Sequence, residues 1–318
     1  MKLRALIITP ASPGSTRGNR VTAERWARIL GELGHAVEIA EDYRGQGCDL
    51  MIALHAASSA PAIARFRDER PREPLLVALT GTDLYRDLRT SDEARRSLEL
   101  ATRLIALQPL AADEIEEPLR RKVRVILQSL EPVQGAAPPS TERFEICVLG
   151  HLRPVKDPFR AAEAARTLPA GSRLHVLHVG AGLEAGMEER ARAEQASNPR
   201  YTWVGELPRD EALRVLAASR LLVLSSLMEG GANAISEALV HGVPVIASRI
   251  PGSIGLLGED YTGFFPTGDT AALAALLARA ESEPAYYSSL REHCLRLAPA
   301  FAPERERSAW SELVEEIF

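Results

Sequence analysis

The sequence predicts an α/β protein built as two doubly wound halves, and three observations carry that reading. Short apolar runs bounded by glycine and proline recur along the chain and alternate with stretches of helical periodicity. The alternation breaks once, at Glu131–Glu142 (EPVQGAAPPSTE), which is proline-rich and poor in large apolar residues. Beyond that linker the pattern starts again. Strands alternating with helices make a parallel sheet covered on both faces. The halves are expected at residues 1–136 and 137–300, followed by a last helix at Phe301–Phe318.

Taken in order, Ala5–Thr9 is the first apolar strand, and Pro10–Arg20 is the loop at its carboxyl end. Trp26, Ile29, Leu30 and Leu33 share one helical face, so Val21–Leu33 is a helix, ended by Gly34-His35. Ala36–Ala40, Asp49–Leu54 and Leu75–Leu79 are strands, with Ser58–Arg70 helical before the last of them. His55 follows the second of these strands and Thr80-Gly81-Thr82-Asp83 the third. Ser91–Thr102 and the short Ala111–Leu119 are helices; Arg103–Leu107 and Val123–Leu127 are strands, the latter ending at Gln128-Ser129. After the linker, Phe144–Leu149 runs into the loop Gly150–Pro158. Phe159–Thr167, Leu183–Ala196 and Arg209–Ala218 are helices, interleaved with strands Arg173–Val179, Tyr201–Val204 and Leu221–Leu224. Val243–Ala247 is a strand, Ser248–Gly258 a glycine-rich loop, and Thr270–Glu281 and Ala285–Leu297 are helices.

Composition excludes several function classes. A chain of 318 residues is comfortable for two domains, and 46% apolar with 25% charged residues is ordinary for a soluble protein. The net charge of −5 supplies no field that would attract nucleic acid or an anionic membrane, so an anionic ligand has to be met by local groups. The three cysteines, Cys48, Cys147 and Cys294, lack metal-ligand spacing and are expected to be reduced thiols in a cytoplasmic setting. MKLRALIITPA reads as a first strand rather than a signal peptide, and no run of about 18 apolar residues marks a membrane span.

The densest chemistry lies in Leu221–Leu239 (LLVLSSLMEGGANAISEAL). A strand, a glycine turn and a helix from Asn233 follow one another, and the unpaired N–H groups of a helix start favour an anion. Glu229 and Glu237 bracket the turn with seven residues between them. Arg153 and Lys156 follow Gly150 at another strand end; arginine can fork onto two oxygens and lysine adds a point charge. In the first half, Arg17, Gly18, Asn19 and Arg20 precede a helix, while His55, Thr80, Gly81, Thr82, Asp83 and Gln128 sit at strand ends. Together they could cradle a small anion. Plainer roles stand beside these: Asn19 as a helix cap, His55 as a structural histidine, Asp83 as a turn former, Trp26 and Trp310 as packing residues.

These motifs resemble those of family 4 glycosyltransferases of the GT-B fold, in which two Rossmann-like domains face a central cleft. The resemblance rests on Glu229–Glu237 and on Gly150-His151-Leu152 with Lys156, and spans essentially the whole chain. It implies that the last helix crosses back to the first domain and that Glu237 holds the ribose hydroxyls of a nucleotide sugar. Glu229, with the N–H groups of Gly230 and Gly231, would meet the sugar. Asn233, Ala234 and Ile235 would offer N–H groups to the diphosphate, with Lys156. The expected catalytic residues are Glu229, Lys156, Arg153 and Thr80, and no metal or other cofactor is implied. Two positions depart from the family pattern. His151 stands where arginine is usual, so either it or Arg153 serves the diphosphate. Thr80-Gly81 replaces a frequent histidine-glycine pair, which hints at an unusual acceptor.

A narrower resemblance fits these departures. Gly18–Trp26, LTGTDLYRDL (Leu79–Leu88), the stretch around Gln128 and FAPERERSAW (Phe301–Trp310) are similar to the selenosugar synthases of selenoneine biosynthesis. That group joins a sugar from a UDP-sugar, UDP-GlcNAc or UDP-glucose, to selenophosphate. The expected partners are therefore small molecules, with no nucleic acid and no membrane. A transferase acting on an organic hydroxyl, a sugar-nucleotide 2-epimerase and a nucleotide-sugar binding protein without turnover remain alternatives.

Overall fold

A computed structural model describes residues 2–318. The chain divides into two compact units: unit 1 takes in the chain to Ser129, Glu229–Gly231 and Pro303–Phe318, and unit 2 takes in Leu130–Met228 and Ala232–Ala302.

Unit 1 holds strands β1 (Arg4–Ile8), β2 (Ala36–Ala40), β3 (Leu50–Leu54), β4 (Leu75–Leu79), β5 (Arg103–Ala106) and β6 (Val123–Val125). They pair in parallel in the order β2-β1-β3-β4-β5-β6. Side chains alternate across the pleat. Leu6 and Ile8 therefore pack with Tyr43, Phe66 and Leu79, whereas Ala5 and Ile7 pack with Trp26, Leu30 and Trp310. The helix Pro303–Ile317 joins this second layer, its Trp310 ring edge-on to Trp26 at 4.9 Å between centroids. Glu306 of the same helix is buried, so its carboxylate needs partners. It accepts from the Ser129 N–H (2.7 Å) and Oγ–H (2.6 Å) and from Trp26 Nε1 (2.9 Å), and pairs with Arg25 at 3.2 Å.

Unit 2 holds β7 (Phe144–Leu149), β8 (Leu174–Val179), β9 (Tyr201–Gly205), β10 (Leu221–Leu224), β11 (Val245–Ser248) and β12 (Phe264–Phe265). Their order is β12-β11-β10-β7-β8-β9, again all parallel. The start of the linker lies on this unit: the Leu130 N–H donates to the Phe301 carbonyl (3.2 Å) and the Val133 N–H to His241 Nε2 (2.9 Å).

Three expected elements come out differently. Ala111–Leu119 is not one helix; a 3₁₀ turn at Pro109–Glu114 gives way to a separate turn at Glu117–Arg120. Pro118 lacks an N–H and its ring would strike the carbonyl of Glu114, so no helix runs through it. The helix expected at Leu183 begins only at Met187, after Gly186 takes a left-handed φ of 78°. Ser248–Gly258 is not a loop but contains the helix Pro251–Leu257, opened by proline in its first turn and closed by Gly258 at φ 87°. No helix among the described residues is long and apolar enough to cross a membrane.

Candidate active site

Open α/β sheets bind ligands outside the carboxyl ends of their strands, where the strand order reverses direction. In unit 2 that point lies between the adjacent β7 and β10. The loops leaving these two strands are Gly150–Pro158 and Ser225–Ala232.

The β7 loop is held from below. Gly150 carbonyl accepts from His178 Nε2 (3.1 Å), and His178 Nδ1 lies 3.1 Å from the Tyr201 hydroxyl. His178 is fully buried, and burial pushes its pKa down to about 4 although the Gly150 carbonyl opposes the shift, so it is neutral. Gly180 leaves no room for a side chain, since a Cβ there would lie 2.1 Å from the Gly150 oxygen. His151 Nδ1 accepts from the Ala181 N–H (3.2 Å), and Arg153 Nε is 3.8 Å from Glu184 Oε1. Lys156 closes a short 3₁₀ turn, Pro154–Lys156.

The two loops are laced together. Ser225 Oγ lies 3.2 Å from the Lys156 carbonyl and 2.8 Å from that of Asp157, and the Leu227 N–H donates to the Val155 carbonyl (2.8 Å). Ser248 Oγ holds the Ser226 carbonyl at 2.6 Å. All three serines are buried. In the sequence, the one signal for Ser225 and Ser226 is a serine pair directly after an apolar strand.

The helix Asn233–Val240 starts without a side-chain cap. Its Ile235 N–H already donates to the Ala232 carbonyl (2.9 Å), which leaves the Asn233 and Ala234 N–H groups as the better anion donors. Glu237 is buried in this helix, and its Oε1 pairs with Arg209 Nη2 at 2.8 Å. Arg209 carried no sequence signal, because its partner lies in another element.

In unit 1 the strand order reverses between β1 and β3. The loop after β1 leads to Arg17, which occupies the N-cap of the helix Gly18–Glu32 without a capping side chain, and Asn19 lies inside the first turn. Arg17 and Gly18 are exposed, and Arg20 Nε pairs with Glu24 at 2.7 Å. Gln128 is buried and donates to Thr22 Oγ1 (2.7 Å) in that helix.

His55, just past β3, has a left-handed φ of 73°, a strained conformation for a residue with a side chain. Its Nδ1 accepts from the Ser58 N–H (3.2 Å), which leaves the proton on Nε2, 3.0 Å from Thr82 Oγ1 and 3.8 Å from Asp87 Oδ2. Asp83 is fully buried and its carboxylate accepts three backbone N–H groups: Thr80 (2.9 Å) and Gly81 (2.8 Å) on Oδ1, Ala56 (3.0 Å) on Oδ2. It ties the ends of β3 and β4 together and shapes the loop that carries Thr80 and Thr82, as a turn former does.

Glu229, Gly230 and Gly231 fall in this unit too. A Cβ on Gly230 would lie 2.5 Å from the Thr80 carbonyl carbon, and one on Gly231 2.9 Å from the Leu107 carbonyl oxygen. Backbone-to-backbone approach therefore requires glycine at both positions. The structure thus gathers His55, Thr80, Gly81, Thr82, Asp83 and Glu229–Gly231 in unit 1, and the Lys156 loop with the Asn233 helix in unit 2. No group of three or more His, Cys, Asp or Glu among the described residues is arranged to hold a metal.

Residues 134–296, more than half of the chain, match the family described as glycosyl transferases group 1. The 2-deoxystreptamine glucosyltransferase of Streptomyces kanamyceticus is 26% identical over 255 residues. That match takes in 75% of this chain but only 63% of the relative, so the chain spans less than two thirds of that protein's length. Among solved structures, HepE of Anabaena in complex with UDP superposes with a TM-score of 0.79 at 16% identity, covering 99% of this chain and 100% of that one. Sucrose-phosphate synthase from Thermosynechococcus elongatus gives a TM-score of 0.80 at 18% identity over 100% and 99% of the two chains.

Proposed function

We propose, for a chain that belongs to the group 1 glycosyl transferases, that it moves the sugar of UDP-GlcNAc or UDP-glucose onto selenophosphate. The fold is GT-B, two parallel six-stranded sheets with helices. The single observation that carries the donor half is the Ser225 lacing at the β7/β10 reversal. It holds the Lys156 loop beside the strand that leads to the uncapped helix bearing Glu237. HepE has been solved with UDP and with UDP-glucose, which supports the choice of nucleotide.

In this reading selenium attacks the anomeric carbon, the bond to the diphosphate breaks and UDP leaves. Water then cleaves the selenium–phosphorus bond, giving phosphate and a 1-selenosugar. Lys156, Arg153 and the Asn233 and Ala234 N–H groups meet the charge that develops on the departing diphosphate. Glu237 takes the ribose hydroxyls, and Glu229 the sugar. An anionic selenium nucleophile needs little help from a base, which agrees with an Asp83 carboxylate already engaged by backbone N–H groups. His55, Thr80 and Thr82, with Arg17 and Arg20, supply polar donors rather than an apolar groove. Charge compensation by side chains and N–H groups makes the reaction metal-independent, in a cytoplasmic enzyme.

The test is incubation with either UDP-sugar and selenophosphate, followed by mass spectrometry. A selenosugar formed together with UDP supports the proposal, as does its loss in Lys156→Ala. UDP release only in the presence of an organic hydroxyl acceptor would overturn it. That outcome would favour the second reading, a transferase to an organic acceptor, which the name of the Streptomyces relative supports.

A further inference from the structure

Glu237 poses an electrostatic problem that the donor reading leaves open. Its carboxylate is only 6% exposed and sits one turn into the helix whose first N–H groups would face a diphosphate. A bare carboxylate there would repel the ligand that the helix start attracts, and at short range in a partly dry site that repulsion is large. Arg209 answers it. This residue opens the helix Arg209–Ala217, and its side chain, 41% exposed, reaches in to place Nη2 at 2.8 Å from Glu237 Oε1. The backbone of Glu237 is fixed as well. The Val133 N–H donates to His241 Nε2, so the His241 proton is on Nδ1, which donates to the Glu237 carbonyl at 2.6 Å.

We infer that Arg209 is a charge-compensating residue of the donor site: it neutralises Glu237 so that one pocket can hold both a ribose diol and a diphosphate. The inference rests on the nucleotide-sugar reading above. A carboxylate offers about four acceptor positions, so it receives the diol without releasing the guanidinium. Arg209 acts through Glu237 and is a positioning residue, not a catalytic one. Its removal costs binding in proportion to the charge on the ligand.

Calorimetric titration of the full chain with uridine, UMP and UDP separates this role from a merely structural one. Arg209→Ala is expected to weaken UDP by about tenfold or more and uridine by about twofold or less, with UMP between. Arg209→Gln, which can still donate a hydrogen bond to Glu237, is expected to lose UDP as the alanine variant does. Arg209→Lys restores most of the affinity. Equal losses for uridine and UDP, or wild-type UDP affinity in Arg209→Gln, would overturn the inference while leaving the donor reading in place. Binding of none of the three ligands by the wild-type chain would instead overturn the donor reading, and this inference with it. Urea unfolding of each variant checks that the fold is intact.

Discussion

Single residues set the tolerances of this site. His178 is buried beneath the Gly150 loop with its pKa lowered to about 4, against about 6.5 in an unfolded chain. As pH falls the unfolded state takes the proton first. Stability is therefore full above about pH 6.5 and declines by roughly 1.4 kcal/mol per pH unit toward pH 4. Urea unfolding at pH 7 and pH 5 should show a loss of about 2 kcal/mol that His178→Gln largely lacks. Gly230 is limiting in another way. Gly230→Ala would press a methyl group onto the Thr80 backbone, a clash no flexible side chain can relieve. We expect it to cost on the order of 1–3 kcal/mol in urea unfolding and to lower transferase turnover more than about tenfold. Glu229 and Glu237 bracket one turn in the sequence, and the structure places Glu229 in unit 1 and buries Glu237 in a helix of unit 2. Asp83 is readable in the sequence both as a strand-end ligand contact and as a turn former, and the backbone N–H groups folded around it show the loop tie.

At the scale of elements, the helix Pro303–Ile317 is held by one buried carboxylate. Glu306→Ala would leave Arg25 and the Ser129 and Trp26 donors without their shared acceptor, and should cost about 3–5 kcal/mol in urea unfolding. Glu306→Gln should cost less, since it still accepts from some of these donors. Trp26 is readable as a packing residue because it shares a helical face with Ile29, Leu30 and Leu33, and both it and Trp310 are buried. Glu306 was not, because a glutamate on an amphipathic helix looks like part of the solvent face until its neighbours are known. Local chemistry misled at Ser248–Gly258 too. Its glycines suggested a loop, yet Pro251 starts a helix and Gly258 stops it.

For the whole molecule, a ligand that binds only the folded chain must stabilise it. UDP at about 100 times its Kd should add roughly 2.7 kcal/mol to unfolding stability, and Lys156→Ala should reduce that gain at the same UDP concentration. Treatment with EDTA should leave both the gain and the turnover unchanged. The sequence by itself determined the α/β class and most of the strands, the two-residue β12 being too short to show as an apolar run, and it carries the Glu229–Glu237 and Lys156 motifs on which the proposed function rests. These depend on apolar runs, turn residues and short spacings, which act over a few residues. Only the tertiary structure decided the strand orders, and with them the reversals at β1/β3 and β7/β10. It also decided that Arg209 meets Glu237, that Asp83 meets backbone N–H groups and that Ser225 meets the Lys156 loop. Parallel strands pair across long connections and buried polar groups take whichever partner the packing brings near, so neither outcome is written in local pattern.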